Sequence, residues 1–186
     1  MPSSYLNNNS VARGLRNNNP GNLVITNIPW QGKIPRTQNT DGTFEQFYTL
    51  EAGIRAAALD IINDVKEHGY TLRQLITEYA PPAENNTGAY ISYVSDTTGI
   101  APDQEVVFTP IALKTVLQAV FDVENGDSAD LITDAQINEG IDMLPDNVLE
   151  QIKDYVAENS ISIAALLLML FAGTMGLIYY KRHARE

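Results

Sequence analysis

The chain has no cysteine, which excludes disulfides and thiolate metal sites. It has two histidines, His68 and His183, too few and too scattered to build an imidazole metal centre. Asp122, Glu124, Asp127 and Asp130 do not fall at calcium-loop spacing, so neither a metal nor another cofactor is expected. Acids are missing from the first forty residues, where Arg13, Arg16, Lys33 and Arg36 are the only charges. Bases are scarce afterwards: 22 acids face five bases between Asp41 and Asn159. With a net charge of −11, such a body is a poor binder of nucleic-acid phosphates. Its short basic ends can each meet an anionic partner, although most such runs are solvated faces. There are no internal repeats.

What the sequence does have is one long apolar run. Ile161 to Tyr180 reads ISIAALLLMLFAGTMGLIYY, without a charge. As a helix it spans roughly 30 Å, the hydrocarbon thickness of a bilayer. Tyr179 and Tyr180 sit where an aromatic belt belongs, followed by Lys181 and Arg182. A buried core helix would need more protein around it than 186 residues provide. The expected organisation is a domain over 1–144, an acidic juxtamembrane stalk over 145–159, a transmembrane helix over 160–180 and a basic tail over 181–186.

Orientation is contested by two signals. The basic tail favours a cytoplasmic C-terminus. The start, MPSSYLNNNS, has neither a charged n-region nor an apolar h-region, so export of the domain is not expected. Tail anchoring moves only the last six residues across the bilayer and is the expected arrangement.

Within 1–144 the pattern is mainly helical behind a loop-rich start. Residues 1–43 are rich in Asn, Gly, Pro and Thr, with short strands expected only around Leu23–Ile25. Thr49 is placed to cap a helix from Leu50 to about Glu67, with Leu50, Ile54, Ala57, Ile61 and Val65 on one face. Thr71 caps a shorter helix to Tyr79, and another is expected from about Gly88 to Asp96. Thr109-Pro110 opens a helix to Glu124 that Gly126 ends, and Thr133 opens one to Met143.

The run Arg13-Gly-Leu-Arg-Asn-Asn-Asn-Pro-Gly-Asn22 is dense turn chemistry, because Asn tolerates left-handed backbone and caps turns. Read plainly it is an ordered loop. Read functionally, its amides line a groove for a polar, uncharged polymer such as a glycan. Trp30, Phe44, Phe47 and Tyr48 follow; aromatic faces suit sugar rings, but aromatics at helical or strand spacing are more often core.

RGLRNNNPGNL, the Trp30–Gly32 W-x-G, DGTFEQF, EAGIRA, YAPPAENNTGAYISYV, and then VENG and QINEG occur in order over roughly residues 11–143. In these the chain resembles a family of bacteriophage virion structural proteins with a lysozyme-like domain. The resemblance implies a mainly α, α+β lysozyme-like fold and a place in a phage particle. The hydrophobic run departs from many such relatives. Joined to it, the resemblance implies a phage with an internal membrane, the chain passing through the host membrane during assembly. Its partners would be the bilayer, capsid or vertex proteins and peptidoglycan, with the basic tail near genomic DNA or anionic lipid.

Glycan cleavage of the lysozyme kind needs a carboxylic acid kept protonated near neutral pH. A second carboxylate helps in some enzymes, whereas lytic transglycosylases manage with one Glu. In glucosaminidases and lytic transglycosylases that acid ends an apolar helix and precedes an asparagine-glycine stretch. Here no Glu precedes Asn17, but Val116-Leu-Gln-Ala-Val-Phe-Asp-Val-Glu124-Asn-Gly is similar to the helix-ending acid. The resemblance thus implies a rearranged, circularly permuted version in which Glu124 faces Asn17–Asn22. Its apolar approach would raise a carboxyl pKa. Glu84 is the second candidate acid; Asp41 and Glu45 are weaker ones. Asn17, Asn19, Asn22 and Tyr90 would position the sugar. The plainer alternatives are a solvated helix-end acid for Glu124 and a loop acid or helix cap for Glu84. At the level of function they are a non-enzymatic adaptor between membrane and capsid, or a host-encoded wall enzyme.

Overall fold

The computed structural model describes residues 3–83 and 86–152. The chain divides into two compact units, Met1–Asp146 and Asn147–Glu186. In the second, residues 147–152 are helical. The expected transmembrane helix, the basic tail and the stalk from residue 153 onward lie outside the described residues. Among those described, no helix is long and apolar enough to cross a membrane.

The first unit is built from α1 (Arg13–Arg16), α2 (Leu50–His68), α3 (Leu72–Tyr79), α4 (Thr87–Thr98), α5 (Pro110–Asn125), a 3-10 turn (Gly126–Leu131) and α6 (Asp134–Asp142). Threonine hydroxyls open α2, α3, α5 and α6: Thr49, Thr71, Thr109 and Thr133 accept from Ala52, Gln74, Ala112 and Gln136 N–H groups. Gln74 and Gln136 close the capping boxes from the other side.

The long α2 lies at the centre. Leu50 to Ala58 are buried without a break, so the expected single apolar face is too narrow a description. Small residues make this possible. Gly140 of α6 sits so close to Ile54 that an added Cβ would be 2.7 Å from Ile54 Cβ. The two polar residues in this stretch are matched by backbone: Glu51 accepts from Ser3 N–H at 3.0 and 3.2 Å, and Arg55 Nε donates to Met143 O at 2.8 Å.

The β part of the expected α+β fold does not form as strands among the described residues. Leu23–Ile25 contributes only the single bridge Val24 to Phe44, and the others are Lys33 to Phe47 and Thr71 to Glu105. The reason is that side-chain amides occupy groups that a ladder would use. Asn39 Nδ2 donates to Phe44 O, Gln46 Oε1 accepts from Thr40 N–H, and Asn19 Nδ2 donates to both Leu23 O and Glu45 O. An N-terminal lobe held by Asn and Gln side chains is fixed without a regular sheet.

Candidate functional site

The helix that Thr109 opens delivers Glu124 to its last turn, where Gly126 (φ 51°) stops it. Opposite lies the turn Asn19-Pro20-Gly21-Asn22, with Asn22 at φ 51°. Asn125 fastens the two together: its Nδ2 donates to Pro20 O at 2.8 Å and to Phe121 O at 2.9 Å. The result brings together three residues that sequence singled out. Asn22 Nδ2 donates to Glu124 Oε2 at 2.7 Å, and Tyr90 OH, from α4, donates to Glu124 Oε1 at 3.1 Å.

The electrostatics of Glu124 are a contest. Burial disfavours the carboxylate and raises its pKa, while the Asn22 and Tyr90 bonds favour the ion and lower it; burial wins. Tyr90 is pushed well up by its own burial and by the Glu124 charge, so it stays a donor at any ordinary pH. Tyr79 is raised likewise, by burial and then by Glu124, Asp60 and Asp64, and its hydroxyl donates to Gly21 O. The outcome is a half-buried carboxyl whose pKa is raised by burial and whose two oxygens are each met by a fixed donor.

Asn17 and Asn19 stand elsewhere. Asn19 is 0% exposed, its amide spent on Leu23 and Glu45, with Leu23 N–H returning a bond to its Oδ1. Asn17 is 2% exposed, donating to Asp41 Oδ2 and accepting from Gln46 Nε2. Both amides are thus engaged by partners within the fold. Asp41 is paired bidentately with Arg13, whose guanidinium holds its carboxyl far below the usual range. Glu45 is almost fully buried, bound by Lys33 Nζ at 2.7 Å and Thr26 N–H at 2.9 Å. These two acids belong to the framework. Glu84 lies outside the described residues.

Sequence reasoning missed Asp60, Asp64 and Tyr79. They line a cavity of about 280 Å³ with Gly21, Asn22, Leu23, Trp30 and Glu78. Burial, and then the neighbouring Asp64, push the Asp60 carboxyl up to about 6. The available signal was a pair of acids one helical turn apart on the pocket side of α2, where like charges destabilise a helix. Tyr90 continues on its other side onto an apolar shelf with Asn86, Ala89, Tyr93 and Val123.

The raised Asp60 has a consequence for stability. The folded state binds its proton more tightly than the unfolded chain does, so its contribution is full at low pH. That contribution is lost as pH rises from about 4 through 6. Asp60→Asn therefore stabilises the fold at pH 7 by about 1 kcal/mol after allowance for solvent screening, and hardly at pH 4. Urea unfolding at the two pH values checks this.

No family model matches the chain. It is 36% identical over 122 residues to Protein P5 of Pseudoalteromonas phage PM2, an alignment spanning 63% of this chain and 74% of that protein. At that identity and coverage, a phage assignment rests on more than the asparagine-rich motif, and the chain belongs to the family of phage PM2 Protein P5.

Proposed function

We propose that this chain is a virion structural protein of a phage, whose first unit has a lysozyme-like fold and cleaves the glycan strands of peptidoglycan during entry. Glu124 is the general acid, giving its proton to the glycosidic oxygen. Asn22 and Tyr90 hold its two oxygens and aim it; they are positioning residues. The observation that carries this reading is the convergence of an apolar helix-ending Glu on an asparagine-glycine turn from the opposite end of the chain, with both carboxylate oxygens engaged. Incubating the full chain in detergent with purified peptidoglycan should release soluble fragments. Anhydro ends on these would identify a transglycosylase and reducing ends a hydrolase, whereas an absence of fragments at every pH would refute the activity.

One observation favours the adaptor as a second reading. The Glu124 carboxylate is bonded on both oxygens by side chains of its own fold, Asn22 and Tyr90, as it would be in a site retained for packing. The same digest separates the two.

In this proposal residues 160–180 anchor the chain in the virion's internal membrane. The first unit then lies towards the capsid and vertex proteins, and the Lys181–Arg185 end lies by DNA or anionic headgroups. Full-length chain should float with liposomes in a density gradient, and a variant ending at residue 159 should stay at the bottom. Equal flotation of the two would remove the anchor.

A further inference from the structure

The acid-free start of the chain carries bases that glycan cleavage does not use, and the fold commits them unequally. Lys33 is held by Glu45, Thr26 O and Ile28 O, and Arg13 by Asp41. The Arg16 side chain has no partner among the described residues, although acids outnumber bases by 23 to 12 in the chain. Arg16 lines a cavity of about 340 Å³ whose walls are almost wholly polar. Its floor is fixed: Asn17 and Gln46 are nearly fully buried and bonded to each other, and Gln46 also bonds Thr40. The Asp41 carboxylate at the edge is saturated by Arg13, Asn17 and the N–H groups of Thr43 and Phe44. The Arg13 guanidinium is placed further by the Phe44 ring, 4.5 Å from its centroid. The rim is different. Asn7 and Asn9 offer side-chain amides without partners among the described residues, and Asn7 N–H donates to Arg16 O at 2.9 Å, tying that rim to α1. Two guanidinium groups against one carboxylate leave the lining with one net positive charge.

We propose that this cavity binds one monoanionic phosphodiester, the headgroup of an anionic glycerophospholipid such as phosphatidylglycerol, with Arg16 as its anchor. One net positive charge matches one phosphodiester. The planar Arg16 fork can span two phosphate oxygens, while the Asn7 and Asn9 amides and the Thr40 hydroxyl supply partners for the remaining oxygens and for glycerol hydroxyls. A carboxylate offers only two oxygens in one plane and would leave most of these donors without an acceptor. A polyanion such as DNA fits worse still, because its further phosphates would run onto a chain of net charge −11. Headgroups are also the phosphodiesters always within reach of an anchored chain, at the effective concentration that tethering gives. This goes beyond the glycan-cleaving reading and takes from it only the membrane anchor.

The test uses the full chain in non-ionic detergent and glycerophosphoglycerol, the soluble form of that headgroup, with binding followed by phosphorus NMR of the probe. Binding should saturate at one equivalent; no saturable binding overturns the site. Arg16→Gln should weaken it at least about tenfold, the scale of one lost charged contact, with the urea midpoint unmoved because that side chain bonds nothing else in the described fold. Arg36→Gln removes the same charge from the same lobe outside the cavity and should leave binding unchanged. Equal weakening by the two variants would reduce the effect to overall charge and overturn the site. Mixed micelles carrying phosphatidylglycerol should displace the probe, and micelles carrying phosphatidylcholine, whose headgroup is neutral overall, should not. Displacement by inorganic phosphate but not by those micelles overturns the lipid source, and equal displacement by acetate overturns the phosphodiester. Peptidoglycan digestion and liposome flotation are read separately. Binding without flotation keeps the cavity and removes the anchor, whereas flotation and cleavage without binding remove the cavity alone.

Discussion

Glu124→Gln should reduce the release of glycan fragments by at least about a hundredfold, the usual scale of a lost general acid, without lowering the unfolding midpoint. Glutamine keeps the volume, and its amide can still meet Asn22 and Tyr90, so what is removed is the transferable proton. The neighbours test the same idea in a different coordinate. Both hydrogen bonds to Glu124 favour its ionised form, so deleting either one raises its pKa further. Tyr90→Phe should therefore carry the alkaline limb of the pH–rate profile to higher pH while the maximum rate falls about tenfold. A purely structural Tyr90 would lower activity through stability and leave that limb in place. Full cleavage by Glu124→Gln would end the assignment and turn attention to Glu84.

The parts of this arrangement that sequence could deliver were the ones with local causes. Four threonine caps, a Thr-Pro start and the glycine at 126 define helix ends through nearest-neighbour chemistry, and the helices begin where those residues stand. Burial around α2 was less legible, because Gly53 and a run of alanines earn no place on an apolar stripe yet allow neighbours to close from every side. Among the asparagines, residue type could not separate roles. Asn17, Asn19 and Asn22 share one turn-rich run, but only Asn22 leaves it with a side chain directed at Glu124. The distinction depends on Glu45, Gln46 and Asp41 arriving from the other side of the lobe, which is non-local. Asp60 and Asp64 were legible in principle as an unfavourable pair at helical spacing.

Gly53→Ala should unfold the domain, or cost at least about 3 kcal/mol, although alanine is the better helix former by about 1 kcal/mol. A Cβ at this position would overlap Asn18 O outright and lie 2.8 Å from the Asn18 carbonyl carbon and 3.2 Å from Asn19 Cα. The obstacle is backbone, and that backbone cannot retreat. Asn18 is 0% exposed with φ 50°; its Oδ1 accepts from Tyr5 N–H, and its Nδ2 donates to Ser4 Oγ and Phe47 O. The preceding Asn17 O accepts from Phe47 N–H at 3.0 Å. Moving the loop away from α2 would strand several buried amides, each worth about 1–3 kcal/mol when left unpaired. Because the same loop continues into Asn22, a partial retreat would also loosen the hold on Glu124, so activity should fall ahead of stability. Gly88→Ala supplies the control. Gly88 lies in the first turn of α4 with nothing within 4 Å of an added Cβ, so the same change there should stabilise by up to about 1 kcal/mol. Urea midpoints moving in opposite directions for the two variants would establish close backbone approach, and not glycine's flexibility, as the reason for Gly53. Midpoints moving together would deny it.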